Sequence, residues 1–264
     1  MKNIIYCFSG TGNCMNAAIK IGKALKDTRI ISMKCNPEDA ASEDAEIIGF
    51  IFPVYHWSLP EPAKKFIREV QINTQAYIFG ITVCGGIAFN TLNDFKRIIE
   101  AKNATVAYTE MVKSVSSYVA AYEPFPNPEK VLPKSECALM QICEDLRLRV
   151  HKNTKNRNYL LAAIRNLIQP HFVNELPTKD KDFIVSDECT GCGLCAKVCI
   201  ANNITIENGK PTFTHHCAQC MGCIVFCPKS AINYKDKTQN RMKYHNPNVT
   251  AKEMSEKCLD MSNK

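Results

Sequence analysis

Two groups of four cysteines in this chain share one spacing. Cys189, Cys192, Cys195 and Cys199 in CTGCGLCAKVC, and Cys217, Cys220, Cys223 and Cys227 in CAQCMGCIVFCP, both read C-x2-C-x2-C-x3-C. The second group repeats the first at a shift of 28 positions, and Ile204 maps onto Ile232 by the same shift, which predicts two similar half-units about a pseudo-twofold. In this spacing three thiolates of one tight loop cover three corners of an iron–sulfur cube, and the fourth reaches across to the other cube. It therefore assigns Cys189, Cys192, Cys195 and Cys227 to one [4Fe-4S] cluster and Cys199, Cys217, Cys220 and Cys223 to a second. Structural zinc takes two ligand pairs separated by a longer loop and fits the doubled pattern poorly. Such clusters pass single electrons.

A second chemical feature lies near the start, in CFSGTGNC (7–14), directly behind the apolar run IIY. A Walker A loop needs a lysine that is absent before Lys20, and a dinucleotide fingerprint needs a third glycine where Met15 stands. What remains is a turn in which the Ser9 and Thr11 hydroxyls, the Asn13 amide and successive backbone N–H groups at a helix N-terminus wrap a terminal phosphate without a cationic side chain. Ser9, Gly10, Thr11, Gly12, Asn13 and Cys14 resemble the phosphate loop of flavodoxins, which bind FMN. In that family the position of Cys14 is commonly Thr or Ser.

Two further loops follow apolar runs in the same way. PVYHWSLPEP (53–62) offers Pro53, Val54, Tyr55, His56 and Trp57, and TVCGGIAFN (82–90) offers Cys84, Gly85 and Gly86. Flavodoxin-like proteins hold the isoalloxazine with loops at these places. The two glycines would let backbone approach the flavin edge, and Tyr55 or Trp57 would stack on its face. His56 reads first as a solvent-facing histidine, although beside a reduced flavin it can supply a proton. Cys84 reads as a small buried residue, with no catalytic role assigned to it or to any other residue. Cys7, Cys35, Cys137, Cys143 and Cys258 have no ligand spacing and are expected to be free thiols.

The elements that must position these loops are legible as buried-strand runs at 2–8, 28–33, 46–52, 75–83 and 103–112, with helix candidates near 13–26, 61–70 and 90–101. That alternation predicts an α/β fold with a parallel sheet covered by helices on both faces. The proline-rich stretch YEPFPNPEKVLP is expected to be a loop, followed by helices at about 135–152 and 157–169. TAKE (250–253) reads as a capping box opening a last short helix.

Fifteen cysteines behind a start without signal-peptide character point to a reducing cytoplasm, where clustered thiols mean metal or redox chemistry. No apolar run reaches bilayer-spanning length, so no membrane insertion is expected. The formal charge of +7 counts every cysteine as neutral. Eight thiolates on two oxidised four-iron cores add about −4, leaving roughly +3, so a nucleic-acid partner is not expected.

FSGTGN, PVYHWSLPE, CGG, the two quartets and the closing YHNPNVT stand in the order seen in the ferredoxin–flavodoxin fusion family of anaerobic bacteria and archaea, which the chain resembles along nearly its whole length. The resemblance implies a flavodoxin-like five-stranded parallel sheet, order 2-1-3-4-5, plus a small α+β two-cluster ferredoxin domain. The expected division is 1–122 for the FMN-binding core, 123–181 for a helical connector, 182–238 for the 2[4Fe-4S] domain and 239–264 for a tail. The cofactors implied are FMN and two [4Fe-4S] clusters. The function expected is an oxidoreductase passing electrons between the clusters and FMN, exchanging them with a redox partner protein or a small acceptor or donor. The alternative is a passive carrier with no substrate of its own. Whether the chain forms a homodimer stays open.

Overall fold

The computed structural model describes residues 2–153 and 173–262. Five parallel strands form the centre of the sheet: β1 (Asn3–Cys7), β2 (Thr28–Ser32), β3 (Ile47–Pro53), β4 (Tyr77–Cys84) and β5 (Val106–Lys113), in the order β2-β1-β3-β4-β5. This is the flavodoxin-like doubly wound order. Every residue of β1 is buried, because a strand flanked by helices on both faces must be apolar on both. Its side chains alternate accordingly. Ile5 and Cys7 enter one core, and Ile4 and Tyr6, with Phe8 just beyond the strand, enter the other.

Helices α1 (Asn13–Leu25) and α4 (Pro128–Arg147) cover the first face through Met15, Ala18, Ile21, Leu139 and Ile142. Helices α2 (Glu61–Glu69) and α3 (Thr91–Glu100) cover the second, where Phe66, Ile67, Phe95 and Ile99 meet an aromatic layer of Tyr6, Phe50 and Phe52.

The structure extends the expected five strands to seven. Strand β6 (Lys152–Asn153) pairs in parallel with β5, and the tail returns as an antiparallel strand, Cys258–Asp260, on the outer edge of β2. Both additions cover backbone that would otherwise stand unpaired at the sheet edges. Helix α4 also begins earlier than the expected 135. Pro128 occupies the first helical position, where a missing N–H costs nothing, and the Asn127 side chain caps the helix by accepting from Glu129 N–H at 2.9 Å. Pro133 lies inside the helix, so the proline signal overstated the loop. The helix expected at 157–169 falls outside the described residues.

The cysteine-rich part is built as the repeat requires. Strands β7 (Phe183–Val185) and β10 (Ile232–Tyr234) pair antiparallel, and β8 (Ile204–Glu207) pairs with β9 (Lys210–Phe213). Between them lie two one-turn helices, α5 (Leu194–Lys197) and α6 (Gly222–Val225), which superpose in sequence at the 28-residue shift. Left-handed backbone positions recur at the same shift: Gly191 with Gln219, Gly193 with Met221, and Asn202 with Ser230.

This module is not a separate bead. Val198, Ile224 and Phe226 join the first core of the α/β domain, and Ile200 and Ala218 join the second. The buried Lys34 ammonium, just past β2, donates to the carbonyls of Lys197, Met254 and Ser255. It thereby ties the sheet to α5 and to α7 (Ala251–Ser255). The capping box at α7 is present, with Thr250 accepting from Glu253 N–H and Glu253 accepting from Thr250 N–H. Strand β11 is the Cys258–Asp260 edge strand that follows it.

Candidate functional site

The turn between β1 and α1 places Ser9 to Cys14 at the carboxyl edge of the sheet, where ligands of doubly wound folds bind. Gly12 precedes α1 with φ 93°, a conformation that glycine adopts without strain. The turn is held from two sides. The Thr11 and Ser117 hydroxyls share a hydrogen bond of 2.6 Å, and the Asn13 amide donates to the Val115 carbonyl at 2.9 Å. From the tail, Tyr244 O–H and Asn246 Nδ2 donate to Asn13 Oδ1, and Asn246 N–H donates to the Thr11 carbonyl at 2.8 Å. The Asn13 side chain is thus a brace for the loop. Ser9 Oγ accepts from Met15 N–H at 3.3 Å.

A cavity of about 480 Å³ opens against this turn. Of the expected FMN residues, Ser9, Gly10, Thr11, Asn13 and Cys14 line it from the first loop. Pro53, Val54, Tyr55, His56 and Trp57 line it from the second, and Cys84, Gly85 and Gly86 from the third. Gly12 instead faces Asn246 and Val249. A Cβ on Gly85 would fall 2.5 Å from Ser116 Cβ, so that loop is pressed against the segment after β5, whereas Gly86 faces open space.

The thiols and rings in the cavity wall are neutral by environment. Burial pushes the Cys14 thiol well up, with Cys7 and Cys84 adding to it, and burial likewise raises Cys7 and Cys84. The Tyr55 phenol is raised by burial and then by the thiols of Cys220, Cys14 and Cys217 around it. Its ring meets Phe8 edge-on at 6.0 Å. His56 is lowered by burial and by the Lys179 charge, which favours the neutral imidazole. Trp57 is exposed and tilts against Phe89 at 5.9 Å. Both His56 and Trp57 have positive φ, in a turn closed by reciprocal hydrogen bonds between Tyr55 and Ser58.

Two walls of the cavity have no counterpart in the sequence reading. One is the segment after β5, with Ser116, Ser117, Tyr118, Tyr122 and Phe125. Its position after a fifth parallel strand was the available signal, since each such loop meets the ligand edge. The other is Ala218 to Met221, from inside the second cysteine quartet. A Cβ on Gly10 would lie 2.4 Å from the Cys220 carbonyl oxygen, so the turn and the quartet touch backbone to backbone. Nothing in the spacing of either motif announces that contact.

The structure brings each cysteine set together. Cys189, Cys192, Cys195 and Cys227 line one small recess. Cys199, Cys217, Cys220 and Cys223 are mutual electrostatic neighbours. Burial and then neighbouring thiols push Cys217 and Cys220 up to about 12, and burial lifts Cys195 to about 11. Backbone N–H groups point at the sulfurs: Asn203 to Cys199 at 3.2 Å, Gln219 to Cys217 at 3.3 Å, and Ala231 to Cys227 at 3.3 Å. Such bonds favour thiolate over thiol and suit an iron–sulfur cube. Among the described residues no three metal-binding side chains converge on one point as a single ion would need.

The segment 183–205 matches the family model described as a 4Fe-4S binding domain. A search of curated proteins found no match. Among solved structures, the two-electron reduced flavodoxin of Megasphaera elsdenii is 21% identical over 41% of this chain and 84% of its own, with a TM-score of 0.35. A flavodoxin from the domain Archaea is 18% identical over 56% and 99%, at 0.39. The Fusobacterium nucleatum flavodoxin bound to flavin mononucleotide is 15% identical over 56% and 97%, also at 0.39. The chain joins a flavodoxin-like fold, defined by its strand order, to a 4Fe-4S binding domain. No helix among the described residues is long and apolar enough to cross a membrane.

Proposed function

We propose that this protein is an FMN- and iron–sulfur-dependent oxidoreductase that passes electrons between two [4Fe-4S] clusters and a flavin. The observation that carries this reading is the shared cavity: its walls come from three sheet-edge loops and from the second cysteine quartet. The groups present fit FMN. A turn at a helix N-terminus meets a terminal phosphate, glycines admit the ring edge, and Tyr55 and Trp57 supply ring faces. When bound, FMN exchanges one or two electrons whereas each cluster carries one.

The chain's own groups then have distinct parts. Thr11, held by Ser117, presents its hydroxyl to the phosphate, and the Tyr244–Asn246 brace fixes the turn that carries it. His56, kept neutral by burial and the Lys179 charge, adds no positive charge to the cavity wall. Ser116 to Phe125 cover the cavity beyond the flavin loops, which supports a site with a small substrate. The second reading, a carrier that meets only protein partners, is supported by the exposed Trp57, Ile87 and Phe125 on the same cavity.

Anaerobic purification with cofactor extraction tests the proposal. It should yield about one FMN and about eight iron and eight sulfide per chain. Protein without flavin would overturn it, and steady turnover of a small acceptor with no partner protein present would exclude the carrier reading.

A further inference from the structure

The two half-units of the iron–sulfur module are alike in backbone and unlike in one respect. At the two left-handed positions of the first quartet stand Gly191 and Gly193, with φ 67° and 72°. At the matching positions of the second quartet stand Gln219 and Met221, with φ 52° and 64°. A side chain in this conformation costs roughly 1–2 kcal/mol that glycine avoids. Strain of this kind persists where the side chain has a use.

Both side chains belong to residues that line the 480 Å³ cavity. Gln219 connects the two sites directly. Its Oε1 accepts from Tyr118 O–H at 3.3 Å on the cavity wall, and its Nε2 donates toward Cys217 Sγ at 3.8 Å. Met221 is buried beside Val198 and Ile224, and a thioether packs well against the edge of an aromatic ring system. Between them Cys220 abuts Gly10, leaving no slack between the quartet and the phosphate turn.

We infer that Gln219 and Met221 are flavin-site residues supplied by the iron–sulfur module, so that retention of FMN depends on the ordered second quartet and not on the first. The inference rests on the flavin reading above. By linkage, whatever orders the loop Ala218–Met221 strengthens FMN binding, and FMN in turn strengthens the quartet's hold on its cluster.

The test is FMN affinity, read by fluorescence quenching on anaerobically reconstituted full-length protein. The double variant Gln219→Gly/Met221→Gly keeps all eight ligands and removes the backbone strain. It should carry wild-type iron and sulfide yet bind FMN about tenfold more weakly, the loss of one hydrogen bond and one sulfur–ring contact. Met221→Leu, close in volume but without the sulfur, should recover the packing but not the sulfur–ring contact, leaving the affinity between that of Met221→Gly and wild type. Cys217→Ala should weaken FMN at least as much as the double variant, and Gly193→Ala, at the matching position of the first quartet and not a ligand, should leave it unchanged. Wild-type FMN affinity in both the double variant and Cys217→Ala would overturn the inference. Absence of FMN binding by the wild-type holoprotein would instead overturn the flavin reading, and the inference with it.

Discussion

The two cysteine quartets share spacing, one-turn helices and left-handed positions, yet face different surroundings. The first lies at the surface, with Cys192 exposed and Gly193 meeting nothing closer than Ile206 at 3.7 Å. The second is pressed between the module and the sheet edge, with Cys223 buried and Cys220 against Gly10. A duplicated binding motif therefore need not mean duplicated roles. Under the proposed function, the exposed quartet would be the one to meet an external partner and the enclosed one the one to meet the flavin.

The largest contrast should appear in thiol chemistry of the metal-free folded protein. Burial pushes the Cys220 thiol up to about 12, so little of it is thiolate at pH 8. Iodoacetamide at pH 8 should thus label Cys192 well before Cys220 or Cys223, as peptide mapping would show. Equal labelling would mean that the quartets are equally open.

Substitutions at the contact come next. Gly10→Ala sets a Cβ against the Cys220 backbone, which has no flexible end to yield, and should lower stability by about 3 kcal/mol in denaturant melts. Gly193→Ala, whose Cβ would meet only the Ile206 side chain at an ordinary contact distance of 3.7 Å, should cost only the left-handed strain of about 1–2 kcal/mol. A reversed order would place the crowding in the wrong half.

The residues after each fourth cysteine extend the comparison. Pro228 is exposed, whereas Ile200 is buried in the aromatic core of the sheet domain. Ile200→Pro should therefore cost about 2 kcal/mol or more, and Pro228→Ile less than about 0.5 kcal/mol, by thermal unfolding. Similar losses would mean that the two positions are equally packed.

A modest effect is expected at the brace. Tyr244→Phe removes one donor to Asn13 and should cost about 1 kcal/mol, visible as a lower melting temperature. No change would mean that the Ser117, Val115 and Asn246 contacts hold the turn without it.

Fold legibility followed periodicity. The five buried runs and the helices between them were readable because each strand is apolar on both faces, and the quartets because ligand spacing is local. The edge strands at Lys152–Asn153 and Cys258–Asp260 were not, since they are short and polar or isolated, and only pairing with β5 and β2 makes them strands. Helix α4 was shortened by reading Pro128 and Pro133 as loop signals, although Pro128 stands at the first helical position, where proline is compatible with helix, and Pro133 is accommodated inside it. At the site, the three sheet-edge loops were visible from their glycines and aromatics. Gln219 was invisible because its position depends on which surfaces dock, a tertiary fact without a local signature, whereas Ser117 and Tyr118 carried only the signal of following a fifth parallel strand.

The central claim is that the second quartet sits on the electron path to the flavin. Stepwise anaerobic titration with a one-electron reductant, following flavin and cluster absorbance together, tests it most directly. Wild-type protein should bleach flavin as the clusters are reduced, and Cys217→Ala loaded with FMN should reduce its first cluster while the flavin lags behind. Flavin that stays oxidised in wild-type protein with reduced clusters, or that bleaches equally fast in Cys217→Ala, would contradict the account.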